Sequence, residues 1–173
     1  AAPIHSNLSH AQLKLGEPRL ALAAADAAVA ARPEWHKAHF RRGEALFAAR
    51  QYADARAAYQ KAAGVCEEAG AAHEIKQASA LCDEAAKGGL WFRQLQPGRD
   101  IALTPRADRP MEGLVFQCAK QMQNFIYLLG DARTRKCFVV DACWDTDGIL
   151  AYVKRCKMEL VGAVATHYHF DHT

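Results

Sequence analysis

Four side chains able to bind metal ions fall within six residues near the end of the chain: His167, His169, Asp171 and His172. Imidazole and carboxylate ligate zinc at about 2.0–2.2 Å, and a hydroxide held between two such ions is a strong nucleophile at neutral pH. In an extended segment His167 and His169 leave from the same side, because side chains alternate with a period of two. Asp171 and His172 must then come from a following turn, facing a second ion. The spacing therefore reads as two half-sites. A solvent-facing histidine-rich tail is the plain alternative, but the apolar run 161–165 and Thr166 lead directly into the cluster. A strand end is where layered α/β scaffolds place their sites.

The elements expected to carry this cluster follow from local patterning. Residues 90–112 hold three prolines and no sustained period, so a connector is expected, with a short extended piece at 101–103. Residues 114–118 are apolar enough for a strand. A hairpin is the simplest account of 124–129 and 136–140, with Gly130, Asp131 and Ala132 at the turn. Residues 147–157 have helical spacing through Ile149, Leu150, Val153 and Cys156, with Asp145 and Asp147 near the favourable positive end. Residues 160–165 read as a short buried strand.

The run THYHFDH at residues 166–172 resembles the HxHxDH motif of the metallo-β-lactamase superfamily. The likeness extends back to Asn124 and is similar to the start of the hydroxyacylglutathione hydrolase (glyoxalase II) branch. The resemblance implies an αββα sandwich and a dinuclear zinc site, with His167 and His169 on the first metal and Asp171 and His172 on the second. It also implies that Asp171 orients the attacking hydroxide and is the catalytic residue, and that Asp141 supports the metal loop from beneath. Hydrolysis of a small thioester is the implied reaction, and persulfide oxidation at a single iron is the variant on related scaffolds. Two zinc ions are expected per intact domain, with iron the alternative. The family's further ligands have no counterpart before Thr173, so residues 1–173 alone are expected to hold zinc weakly or not at all and to be inactive, as part of a longer hydrolase.

The first half follows a different period. Residues 1–89 are alanine-rich, and a shift of 34 sets Ser9 on Gly43, Ala21 on Ala55, Ala25 on Tyr59 and Ala28 on Ala62. Small residues let paired helices approach, and larger ones (Leu13, Leu15, Leu20 and Leu22, then Leu46, Phe47, Tyr52 and Tyr59) fill the gaps. Gly16 to Pro18 and Ala31 to Glu34 break the pattern. Residues 67–87 read as a capping helix, with Ile75, Ala78, Leu81, Cys82 and Ala85 on one stripe and Gly88-Gly89 as its stop. This half resembles the tetratricopeptide repeat over about 60 residues. Within it Lys37 and Arg41 lie four residues apart on one helix face. By resemblance to the co-chaperone class, they and Asn7 match three members of a clamp for the acidic C-terminal tail of a chaperone. Lys and Arg suit a terminal carboxylate and Asn adds an amide proton; an ordinary solvated face is the alternative.

The expected fold is therefore α plus α/β: tetratricopeptide repeats with a capping helix over 1–89, a connector over 90–112, and the first part of a metallo-β-lactamase sandwich over 113–173. Its function would be a repeat-scaffolded hydrolase, or an assembly subunit acting through the repeat surface with a non-catalytic hydrolase-like segment. Composition narrows the classes further. The 173 residues are 51% hydrophobic and 24% charged, with 22 Lys and Arg against 19 Asp and Glu. The net charge of +3 is spread along the chain, which argues against a nucleic-acid arm, and no apolar run approaches the roughly 20 residues of a membrane span. A cytoplasmic location is expected. Six scattered cysteines read as reduced, partly buried thiols, and Trp35, Trp91 and Trp144 as packing residues. Arg133, Arg135 and Lys136 read as a solvated basic turn.

Overall fold

Short connections and small residues dictate the first half of the chain. The computed structural model describes residues 1–103, 110–122 and 124–167 and divides into two units, 1–87 and from 88 onward. In the first unit α1 (Ala2–Lys14), α2 (Pro18–Ala31), α3 (His36–Ala48), α4 (Tyr52–Gly64) and α5 (Ala69–Lys87) follow one another. Each helix packs on the next, and α1 also touches α3.

The residues paired by the 34-residue shift all turn inward: Ser9, Gly43, Ala21, Ala55, Ala25, Tyr59, Ala28 and Ala62 are buried. Gly43 shows why small residues are needed, since a Cβ there would meet the Tyr59 ring at 2.5 Å. The larger ring of the second repeat is thus accommodated by the smaller partner of Ser9. Leu46, Phe47 and Tyr52 are buried as expected, whereas Leu15 and Leu20 are 76% and 53% exposed. Those two leucines flank the Gly16 turn and lie off the inward stripe of either helix.

The helix ends also repeat. At the end of α1 the N–H groups of Gly16 and Glu17 donate to the carbonyls of Leu13 and Gln12. At the end of α3 those of Arg50 and Gln51 donate to Phe47 and Leu46. Both are Schellman closures, which require a left-handed residue after the cap. Gly16 takes φ +77° and Arg50, 34 residues later, takes φ +61°. The capping helix α5 buries Ile75, Ala78, Cys82 and Ala85, with Leu81 packed at the edge of the same core.

The second unit contains β1 (Leu90–Leu95), α6 (Pro110–Met122), β2 (Ile126–Asp131), β3 (Lys136–Val140), α7 (Thr146–Arg155) and β4 (Glu159–Val164). The four strands lie in the order β1-β2-β3-β4, with β1–β2 and β2–β3 antiparallel and β3–β4 parallel. Several expectations need correction. The stretch read as a connector holds β1, whose Trp91 and Leu95 enter the core while Leu90 and Phe92 occupy the other face. Apolar residues on both faces had hidden the alternation. Residues 114–118 are helical in α6, where Phe116 and Ala119 are buried three residues apart and Pro110 and Glu112 suit a first turn. The hairpin turn lies at 132–135, slightly later than expected.

Trp91, Leu95, Ile126, Leu128 and Val139 form the sheet's buried face with Ile149 and Val153 of α7, and Trp144 packs partly against them. On the opposite face Phe92, Leu129 and Phe138 lie in register across three strands and are exposed. Arg135 is buried rather than solvated. Its guanidinium donates to the carbonyls of Ala132, Cys156 and Lys157 and so ties the hairpin turn to the α7–β4 corner. All six cysteines are free thiols; Cys82, Cys137 and Cys143 are buried and the other three partly so. No helix among the described residues is long and apolar enough to cross a membrane.

Candidate functional site

Within the helical unit, Asn7 of α1 and Lys37 and Arg41 of α3 border one cavity of about 290 Å³. The three residues expected to act together are therefore neighbours around a common space. Lys37 and Asn7 are exposed there, while Arg41 is partly buried. Arg41 is already engaged: its guanidinium donates to Glu44 Oε2 at 2.6 Å. A ligand carboxylate would share that guanidinium with Glu44.

The start of α3 forms one wall of this cavity. Trp35 precedes the helix without a side-chain cap, so its first N–H groups and the positive end of its dipole lie beside Lys37. The lining also includes His36, Phe40 and Glu74, which the sequence did not single out, and Ile75, which it read only as part of the capping helix's buried stripe. Only the fold could bring residues of α5 to the same cavity as α3, so no spacing rule pointed to Glu74 as a lining residue. Trp35, expected to pack, does line the cavity, with the Arg32 guanidinium 5.7 Å from its ring centroid. His10, on α1, has its pKa lowered below the ordinary 6.5, first by burial and then by the Arg41 and Lys14 charges.

The second candidate region lies where β3 and β4 end side by side. Asp141 follows β3 with φ +52°, a backbone state that carboxamide and carboxylate side chains tolerate better than most. Its N–H donates to the Val164 carbonyl at 2.9 Å. The carboxylate accepts from the Thr166 N–H and hydroxyl, both at 2.7 Å, and Thr166 Oγ1 lies 2.9 Å from His167 Nδ1. Because the hydroxyl's single proton goes to Asp141, Nδ1–H must donate to Oγ1. A neutral His167 then carries its lone pair on Nε2, the form in which imidazole ligates a metal. His169, Asp171 and His172 lie outside the described residues. Among the described residues no three His, Cys, Asp or Glu side chains gather into a metal-binding group.

The helical unit's small-residue stripe, 34-residue register and repeated end closures describe a two-helix repeat. A tetratricopeptide repeat family model matches residues 7–74. The match begins within α1, takes in α2 to α4 and ends at Glu74 in α5, so Asn7, Lys37, Arg41 and Glu74 fall inside it and Ile75 just beyond it. No solved structure matches the chain.

Proposed function

We propose that this protein is an interaction module whose tetratricopeptide cavity captures the C-terminal end of a partner polypeptide, as the tail of a chaperone would present it. The carrying observation is that Asn7, Lys37 and Arg41 surround one cavity with the uncapped start of α3 in its wall. An ammonium, a guanidinium, an amide and a helix N-terminus are the groups that favour a terminal carboxylate. Trp35, Phe40 and Ile75 supply apolar surface for the preceding side chains. Calorimetry with an acetylated acidic pentapeptide, as free acid and as amide, tests this reading. The acid should bind about tenfold more tightly, and Lys37→Ala should remove most of the difference. Equal affinity for acid and amide would sink it.

A second reading rests on the Asp141–Thr166–His167 chain of hydrogen bonds: the second unit is the first part of a metallo-β-lactamase-like hydrolase. Its donor set fits zinc in the one ligand described, since His167 would coordinate through Nε2 with its ring held by Thr166. His169, Asp171 and His172 would complete the two half-sites, with Asp171 as the catalytic residue and iron as the alternative metal. When bound, zinc supplies a Lewis acid and a hydroxide for attack on a thioester carbonyl. Asp141 holds the backbone that carries His167, and the exposed row Phe92–Leu129–Phe138 is the kind of face that a second sheet covers. Zinc uptake lost in His167→Ala supports this reading. Zinc uptake unaffected by that substitution refutes it.

A further inference from the structure

α3 buries two histidines three residues apart, and their surroundings differ. His39 is 7% exposed and its Nε2 lies 2.6 Å from the Pro33 carbonyl oxygen. Its hydrogen bond fastens α3 to the turn before it. His36 is 9% exposed, lines the cavity, and its Nε2 has no hydrogen-bond partner. Buried polar atoms rarely remain unpaired, because each forfeits the bond it would make in water. An aliphatic residue at position 36 would fill the same wall at no such cost.

We infer that His36 is a specificity-determining residue of the peptide cavity, donating an imidazole N–H to the carboxylate of the bound C-terminus. The inference rests on the peptide-capture reading above and adds a contact to it. Three features carry it: the unpaired nitrogen, the position of His36 in the cavity wall next to Lys37, and the uncapped N–H groups at the same end of α3. Rotation about the imidazole Cβ–Cγ bond is soft, and the inferred contact has Nε2 on the cavity side once a ligand is seated. A carboxylate placed there meets the Lys37 ammonium, the helix end and the imidazole N–H together. Arg41, shared with Glu44, contributes from one turn further along.

Substitutions that keep the ring's volume or its Nε position test the contact. His36→Phe retains an aromatic plane without a donor, and His36→Gln retains a nitrogen at about the reach of Nε2. In calorimetry with the acetylated acidic pentapeptide as free acid and as amide, His36→Phe should reduce the acid-over-amide preference about threefold, one contact's share of the whole. Binding of the amide should be nearly unchanged, and His36→Gln should keep most of the preference. If the unsubstituted protein prefers the acid and His36→Phe prefers it equally, the role of His36 is refuted while peptide capture stands. If the unsubstituted protein shows no preference, both fall. Should His36→Phe fail to fold, the imidazole ¹⁵N resonances of His36 decide: a shift with the acid and not the amide supports the contact, and no shift overturns it.

Discussion

Arg50 and Gly16 occupy the same place in successive repeats, yet only glycine reaches positive φ without a steric penalty. Arg50→Gly should therefore stabilise the helical unit by up to about 1 kcal/mol, the left-handed strain removed less the extra freedom of an unfolded glycine. Urea unfolding read by circular dichroism checks the sign. Gly43 works in the opposite sense. Gly43→Ala adds helix propensity worth about 1 kcal/mol, but its methyl would enter the Tyr59 ring, where overpacking costs about 1–3 kcal/mol. The net effect should be a lower melting temperature, with Gly43→Leu worse. Combining Gly43→Ala with Tyr59→Leu should cost less than the sum of the two changes, because one relieves the crowding of the other. Additive effects would show that the close approach is not the constraint.

At the scale of elements, α7 shows how a local signal anchors a distant segment. Asp145 caps the helix by accepting from the Gly148 N–H at 3.1 Å, and its other oxygen accepts from the Ala102 N–H at 2.7 Å. Asp145→Ala removes both bonds, so the sheet unit should lose about 1–2 kcal/mol in denaturant titration, against roughly half for Asp145→Ser, which restores the cap alone. The sequence placed Asp145 near the positive end of this helix; the cap itself and the bond to Ala102, 43 residues away, were not legible. The same division holds elsewhere. Both helical repeats, the capping helix, the hairpin and α7 follow from period and punctuation, because their neighbours in space are neighbours in the chain; β4 is a strand as expected, but it is largely exposed rather than buried, with Val161 and Val164 open. β1 was misread because it is a strand through its long-range pairing with β2, and α6 because its apolar run is too short for its period to show. At the cavity, Lys37 and Arg41 were readable as charges on one helix face and Asn7 joined them through the resemblance to the clamp, whereas His36 and Glu74 take their meaning only from the folded cavity.

Across the whole molecule, the balance of charge hides a local sensitivity to acid. The folded helical unit favours neutral His10, since burial and the Arg41 and Lys14 charges lower its pKa below the ordinary 6.5. The unfolded chain then binds more protons, so the His10 contribution is present above about pH 6.5 and is lost as pH falls through the lowered value. His10→Gln should flatten that part of the stability profile, narrowing the difference in urea midpoint between pH 7.5 and pH 5. An unchanged difference would assign the acid sensitivity to other groups.

The buried thiols allow each unit to be timed separately. Cys82 lies in the helical core and Cys143 in the sheet core, and burial raises the Cys143 pKa to about 11. A thiol so placed reacts with an alkylating reagent only when its surroundings open. Peptide mass spectrometry after pulses of iodoacetamide would thus give one opening clock for residues 1–87 and another for the sheet, from a single untagged sample. Equal rates at Cys82 and Cys143 across a range of urea would mean that the units open together; different rates would rank them, and a peptide bound at the α1–α3–α5 cavity should slow the Cys82 clock first.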